Sequence, residues 1–587
     1  MARADQERVF NGIPVSAGVC LGPVVVMGRR SFQIPRYTVG ESLVSAEMQR
    51  FQQALVKTQE ELRSIQRELC QRVEADEGGI FDAHLLVLED QMIIDEVNRS
   101  IAQDGINVEA AFDQVTRKFT SALSKVEDPY LRERAADMRD VADRVMANLL
   151  GGRSRDPLGG LSEPSIIIGH DLTPSQTASF SREMVLGVAT DVGSPTSHTA
   201  ILARSLNFPA VVGLGDVSQQ IKSGQEVLID GYNGVVIVNP SEQSRFEYGR
   251  VVQKHEDLGQ ELEGIRELPP ETKDGVRVVL TNNIDHPGEV HDVDRFGGEG
   301  VGLFRTEYLF LNRPSLPDED EQFESYRAAA SALGSRTLTL RTLDLGADKV
   351  SKALPDFHET NPALGLRAIR YCLRHPAMFR HQLRAILRAS AFGKMRLLYP
   401  MVSSLEEVRE ANQIFHECRE ELRRESVPFD ESMEVGVMIE TPAAAMISDV
   451  LAEEVDFFSI GTNDLIQYGL AVDRLNERVA DLYQPSHPGI VRMIRETVQA
   501  ANAQGIDVSV CGEMGGDPVL VPLLLGLGIR HLSVSAPRTP PVKHLIRKLT
   551  IAQTEALAGE ALKAKASAEL REACQSLVRQ VAPELLD

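Results

Sequence analysis

"MRLLYPMVSSLEEVREANQIFHECREELRRESVPFDESMEVGVMIETP", residues 395–442, begins with a short apolar run and ends with another. Between them, "SLEEVREANQIFHECREELRRE" (404–425) has the spacing of an amphipathic helix. Apolar runs that do not alternate with polar residues are strands buried on both faces, so the stretch is one strand–helix–strand unit of a parallel sheet. The same rhythm recurs on both sides. Further strand candidates are "VRVVLTNNI" (276–284), "GVGLFRTEY" (300–308), "LTLRTLDLG" (338–346), "FFSIGTNDL" (457–465), "DVSVCGEMG" (507–515) and "HLSVSAP" (531–537). Eight such strands predict a (β/α)8 barrel over 271–555, followed by a helical tail over 556–587.

A barrel of this kind keeps its chemistry at the C-terminal ends of the strands. Read in order, those ends carry Arg305 and Glu307, then Arg341, Asp344, Asp348 and Lys349, then Glu440, Asn463 and Asp464, and last Cys511 and Glu513. Arg474 follows the sixth strand in "GLAVDRLN". Three arginines on one rim can clamp a phosphate or carboxylate bidentately. Carboxylates with an amide oxygen are hard ligands suited to Mg²⁺, which keeps waters and substrate oxygens as its other ligands. Together they point to a phosphorylated small anion bound with Mg²⁺. Cys511 faces the same site, where a thiol can protonate a carbanion or enolate.

The N-terminal part reads differently. Phe51, Leu55, Leu62, Ile65 and Leu69 lie on one face of a helix. Phe112, Val115 and Phe119, and then Met138, Val141, Val145 and Leu149, mark two more helices, the last stopping at Gly151-Gly152. Short β-rich runs flank this bundle: "GIPVSAGVCLGPVVVM" (12–27) before it, and "PSIIIGHDL", "MVLGVATDVG", "PAVVGLG" and "EVLIDGYNGVVIVNP" after it. We therefore expect an α/β domain over 1–35 and 155–240, a helical insertion over 36–154, and a linker helix over 241–270.

Bulk composition narrows the class. The 587 residues, 43% hydrophobic and 25% charged, suit a folded multidomain protein. A formal charge of −23 argues against nucleic acid and anionic membrane surfaces as partners. No apolar run reaches spanning length, and "MARADQERVF" lacks the core of a signal peptide. Six scattered cysteines without a CxxC fit reduced thiols and a cytoplasmic location.

"GSPTSHTAILARS" (193–205) places His198 in the first turn of a helix behind a tight polar loop. The free N–H groups and positive dipole end of a helix favour an anion there, so a phosphate carried on this imidazole would be stabilised.

With these motifs the chain resembles enzyme I of the phosphoenolpyruvate-dependent phosphotransferase system. The resemblance rests on "DLTPSQTA" (171–178), "GSPTSHTAILARSLNFPAVVGLG" (193–215), "GLFRTEYLF" (302–310) and "RTLDLGADK" (341–349). It continues through "NPALGLRAIR" (361–370), "MIETPAA" (438–444), "FSIGTNDLIQY" (458–468), "LAVDR" (470–474), "LYQP" (482–485) and "CGEMGGD" (511–517). It implies a swivelling phosphohistidine domain and a TIM barrel that binds phosphoenolpyruvate and Mg²⁺. The phosphoryl group would pass to His198 and then to the carrier protein HPr, docked on the helical insertion, with release of pyruvate. Thr177 would orient His198; Arg305, Arg341 and Arg474, with Asn463 and Asp464, would bind substrate; Glu440 and Asp464 would ligate Mg²⁺; Cys511 would protonate the enolate. A homodimer formed through the barrel is also implied. The chain departs from the family pattern at Ser194 and Ala347, where the family has glycine. A pyruvate phosphate dikinase would need a nucleotide-binding domain, and no P-loop is present. A nitrogen-regulatory paralogue and a noncatalytic carrier-binding regulator are the remaining alternatives.

Overall fold

The computed structural model describes residues 7–586 apart from 28–32, 73–78, 125–128, 152–162, 174–175, 178–179, 182, 196, 312, 314, 347–360, 475 and 477. The chain falls into two units, residues 1–256 and 257–587, with the helix Glu242–Gly264 running across the division.

The first unit is built on β1 (Arg8–Asn11), β2 (Ile13–Ser16), β3 (Val19–Met27), β4 (Ser165–Gly169), β5 (Val185–Thr190), β6 (Ala210–Val212), β7 (Glu226–Asp230) and β8 (Val235–Val238). Their order in the sheet is β1-β8-β7-β3-β4-β5-β6-β2. β3 joins two halves: Val19–Pro23 pair antiparallel with β7, while Val24–Met27 pair parallel with β4. Between β3 and β4 the described residues make five α-helices, α1 (Val44–Arg72), α2 (Gly79–Leu88), α3 (Gln91–Gln103), α4 (Val108–Ser124) and α5 (Pro129–Leu149).

The α1 stripe buries Phe51, Leu55 and Leu62, and the Phe51 ring lies 5.6 Å from that of Phe112 on α4. The side chain of Leu69 lies outside the described residues. One cation ties three of the helices together. Arg50 on α1 reaches Glu47 at 2.7 Å, Glu109 on α4 at 2.5 Å and the carbonyl of Leu149 on α5 at 3.4 Å. α5 ends at Leu149, and Gly151 takes a φ of 85°, as a left-handed helix stop requires.

The second unit closes eight parallel strands into a barrel: β9 (Val279–Ile284), β10 (Val301–Phe304), β11 (Leu338–Arg341), β12 (Met395–Tyr399), β13 (Glu434–Ile439), β14 (Phe457–Ile460), β15 (Asp507–Val510) and β16 (His531–Ser535). The strand–helix–strand stretch quoted above forms β12, a helix Leu405–Arg424, and β13. That helix starts where it does because of a capping box. The Ser404 hydroxyl accepts from the Glu407 N–H, and the Glu407 carboxylate accepts from the Ser404 N–H. Its buried face is Val408, Ala411, Phe415, Cys418 and Leu422, a three-four spacing that packs on the strands. Outward-facing strand residues join this continuous core, while Leu303, Leu398, Met438, Phe457 and Cys511 form a separate apolar cluster. Among the described residues no helix is long and apolar enough to cross a membrane.

Around the barrel the helices Val521–Gly526 and Ile551–Ala561 approach closely at Gly526, where a Cβ would lie 1.9 Å from the Thr554 carbonyl oxygen. Gly526→Ala should therefore destabilise the barrel by about 3 kcal/mol or more, read as a lower denaturation midpoint for the second unit. An unchanged midpoint would show that these two helices can separate at no cost.

Candidate active site

Arg341, the last residue of β11, is buried at the C-terminal mouth of the barrel. Its Nη2 donates to Glu307 Oε1 at 2.8 Å, and its Nη1 pairs with Asp344 Oδ2 at 2.8 Å. Asp344 in turn accepts from Arg367 Nη2 at 2.7 Å, and Arg367 Nη1 donates to the Tyr468 hydroxyl at 3.2 Å. Burial works against the charge on Arg341, but Glu307 and Asp344 outweigh it and hold the guanidinium firmly protonated. Burial likewise opposes ionisation of Asp344, and Arg341 with Arg367 overcomes it, keeping the carboxyl below its ordinary range.

Glu440 follows β13 directly and is wholly buried. Its Oε1 accepts from the Met401 N–H at 2.5 Å, while its Oε2 has no hydrogen-bond partner among the described residues. Met401 holds a φ of 57°, a left-handed conformation that costs a non-glycine residue about 1–2 kcal/mol. Gly461 leaves room for this carboxylate, because a Cβ there would lie 2.7 Å from Oε2. Burial, the nearby Asp464 charge and Asp344 together push the Glu440 carboxyl well above its ordinary range. A buried carboxylate oxygen without a donor, beside a second carboxylate, is a place where a cation would be stabilised. Among the described residues no cluster of three His, Cys, Asp or Glu side chains could hold a metal alone. Mg²⁺ does not require one, since it retains waters and substrate oxygens. Glu440 and Asp464 therefore fit the expected ion.

The remaining barrel residues surround this centre. Arg305 follows β10 and donates to Asp285 at 3.1 Å. Asn463 and Asp464 open the helix Thr462–Leu470; the Asn463 side chain bonds Glu513 twice, from its Nδ2 at 3.2 Å and to its backbone N–H at 2.9 Å. Arg474 is exposed and reaches the Tyr483 hydroxyl, whose pKa burial pushes up to about 12. Cys511 is 2% exposed, one residue beyond β15, and burial pushes its thiol up to about 11. Ala347, Asp348 and Lys349 lie outside the described residues.

In the first unit, Ser197 caps the helix His198–Ser205, its hydroxyl accepting from the Ala200 N–H at 3.4 Å. His198 is thus the first helical residue; its side chain lies outside the described residues. The loop before it is anchored at both ends. Asp191, buried, accepts from Ser218 N at 2.8 Å and bonds His170 Nδ1 at 3.2 Å. Arg204 Nη1 donates to the Pro195 carbonyl at 2.9 Å, and Thr199 Oγ1 to the Leu172 carbonyl at 3.0 Å. Gly193 has a φ of 130° and the Ser197 N–H reaches the Ser194 carbonyl at 3.0 Å, so this turn forms with serine at position 194. Thr177 is buried and gives its hydroxyl proton to the Thr173 carbonyl at 3.1 Å, which leaves its oxygen only an accepting role toward any other group.

Reading strand ends does not reveal Arg367 or Tyr468. Both lie beyond the ends, Arg367 in the loop "NPALGLR" (361–367), whose Asn-Pro and glycine are the only local sign of a shaped turn.

Three family profiles match in order: PEP-utilising enzyme, N-terminal, at 11–134; PEP-utilising enzyme, mobile domain, at 161–234; and PEP-utilising enzyme, PEP-binding domain, at 259–551. The chain is 42% identical over 549 residues to a phosphoenolpyruvate-protein phosphotransferase of Geobacillus stearothermophilus, covering 94% of each chain. It is 39% identical over 573 residues to the Staphylococcus aureus protein of the same name, covering 98% of this chain and 100% of the other. A solution structure of Enzyme I (nEIt) aligns at 39% identity with a TM-score of 0.35, covering 42% of this chain and 99% of that one. These relatives do not favour the nitrogen-regulatory or noncatalytic alternatives.

The raised Glu440 pKa carries a sign for stability. Between the ordinary glutamate pKa and the raised one, the folded state holds a proton that the unfolded state has lost, so stability falls as pH rises through that window. Glu440→Gln removes this term. Without divalent cation, its melting temperature should exceed that of the parent by a margin that is larger at pH 8 than at pH 5. A margin independent of pH would show that Glu440 does not carry the buried charge.

Proposed function

The chain belongs to the phosphoenolpyruvate-protein phosphotransferase family, and on that premise we propose that it moves the phosphoryl group of phosphoenolpyruvate to His198 and on to a histidine of the carrier protein HPr, releasing pyruvate. The observation that carries the reading is the barrel mouth, where the buried Arg341 stands near a Glu440 carboxyl oxygen that no described residue bonds.

Arg305, Arg341 and Arg474, with Asn463 and Asp464, bind the phosphate and carboxylate of the substrate. The phosphate competes with Glu307 and Asp344 for the Arg341 guanidinium, which is already aimed and charged. Glu440 and Asp464 would hold Mg²⁺, which when bound would offset charge on the transferring phosphate and the enolate oxygen. The His198 imidazole attacks phosphorus; the P–O bond breaks and its electron pair stays on the enolate oxygen. As the enolate collapses to the ketone, its C3 takes the proton of the Cys511 thiol. A thiol held at about 11 is still protonated at neutral pH, as a donor must be. On the first unit, the N-terminus of the helix His198–Ser205 favours the phosphate carried on His198, and the Thr177 oxygen orients the ring as an acceptor.

The proposed division of labour follows the sequence reading: 1–35 with 155–240 carries His198, 36–154 docks HPr, 241–270 acts as the hinge, and 271–555 with the 556–587 tail binds substrate. Homodimerisation through the barrel and a cytoplasmic location belong to the same reading.

With labelled phosphoenolpyruvate, Mg²⁺ and HPr, the protein should label HPr and release an equal amount of pyruvate. His198→Ala should reduce HPr labelling to background while leaving phosphoenolpyruvate binding to the barrel intact. Labelling that survives the substitution would assign the acceptor elsewhere.

A further inference from the structure

A proton donor must meet one carbon of the enolate from one side, so what matters at Cys511 is where the backbone holds the sulfur. The thiol itself is loosely held. Its S–H reaches the Ile460 carbonyl at 3.6 Å, and a thiol is a weak donor; Leu303, Leu398, Met438 and Phe457 around it give packing without direction. On the β14 side the Cys511 N–H donates to the Ile460 carbonyl at 3.1 Å. On the other side the ladder has stopped. β15 pairs with β16 at Ser509–His531 and Val510–Leu532, and Cys511 lies one residue past the last pair.

Asn283 takes over where that ladder ends. It stands near the end of β9, two strands away from β15, and its Nδ2 donates across β16 to the Cys511 carbonyl at 3.1 Å. Ser533 on the intervening β16 is fully buried and donates to Asn283 Oδ1 at 2.6 Å. Gly302 on β10 leaves room for that hydroxyl, since a Cβ there would lie 2.5 Å from Ser533 Oγ. The directions fix one another. A carbonyl can only accept, so the amide must turn Nδ2 toward Cys511; its oxygen then faces Ser533, whose hydroxyl must donate. The backbone pairing of β15 with β16 and of β16 with β9 is made without these bonds. They add a tie at the residue that carries the thiol.

We propose that Asn283 is a positioning residue for the proton donor: by holding the Cys511 carbonyl it sets which face of the enolate the thiol meets, and Ser533 holds the amide in place. This rests on the reading of Cys511 as the enolate's proton donor. In that step the S–H bond breaks with its electron pair left on sulfur, and the C3–H bond forms from the enolate π electrons as the C=O closes. The thiolate regains a proton from water after pyruvate leaves. An enolate that the thiol misses departs instead and takes its proton from water on either face.

Phosphoenolpyruvate bearing deuterium at one of its two C3 positions, turned over by the full-length enzyme with Mg²⁺ and HPr in tritiated water, gives pyruvate whose methyl group holds all three hydrogen isotopes. The parent should give an excess of one handedness. Asn283→Ala should lose most of that excess, lower kcat about fivefold and leave KM within about twofold. Ser533→Ala should lose part of the excess, and the double variant should match Asn283→Ala, because Ser533 acts through Asn283. A merely structural role would lower activity with the handedness unchanged. An undiminished excess in either variant would overturn the proposal, and Ser533→Ala carries the test alone if Asn283→Ala does not fold. Cys511→Ala separates the two readings. If it keeps the parent's excess, Cys511 is not the donor and both readings fall together; if it loses the excess while Asn283→Ala keeps it, the donor stands and the positioning role falls.

Discussion

A guanidinium shut away from water at the end of β11 sets the terms for the whole barrel mouth. Leaving Arg341 unpaired in such a place would cost several kcal/mol, so the chain answers it with Glu307 and Asp344. Each answer creates a further demand. Asp344 needs Arg367, and Arg367 leans on Tyr468, which donates to the Ala363 carbonyl at 2.5 Å. The backbone is fixed in the same manner: Thr306 donates to the Arg341 carbonyl at 3.1 Å, and Gln382 braces Thr306 and the Leu343 N–H. The compensation spreads from one cation until it meets backbone and solvent.

Among the described residues Glu440 Oε2 is one place where this compensation stops short, with Glu307 Oε2, Arg341 Nε and Arg367 Nε as others. Glu440 receives one N–H, from a residue held in a left-handed conformation, and among the described residues nothing bonds its other oxygen. Among the named residues of the rim, the carboxylates of Asp285, Glu307, Asp344, Glu440, Asp464 and Glu513 outnumber the guanidiniums of Arg305, Arg341, Arg367 and Arg474. A rim of this composition favours a bound cation beside the substrate anion.

Much of this was legible in the sequence, and for local reasons. Periodicity fixed the eight strands and the helix after Ser404 because burial on one face is a repeating local property. Strand ends then pointed to Arg305, Arg341, Glu440, Asn463, Asp464 and Cys511 without any knowledge of contacts. What stayed hidden depends on chain segments far apart in number. Arg367 meets Asp344 only because a bridge between Gly346 and Arg367 brings together residues far apart in number, and Asn463 meets Glu513 only because they follow neighbouring strands. Equally, nothing local in "VCLGPVVVM" says that its first half pairs with one neighbour and its second half with another some 60 residues away from the first.

The insertion between β3 and β4 has a cost that is paid during folding rather than in the finished molecule. β3 and β4 run parallel with Met27 opposite Gly169, so the entire five-helix excursion is topologically a single crossover, where about a dozen residues would suffice. Closing a loop this much longer by random search adds roughly 2 kcal/mol of chain entropy. That penalty vanishes if the helices assemble first and bring their two ends together. The Arg50 contacts with α4 and α5, made wholly within the excursion, give it the means to do so.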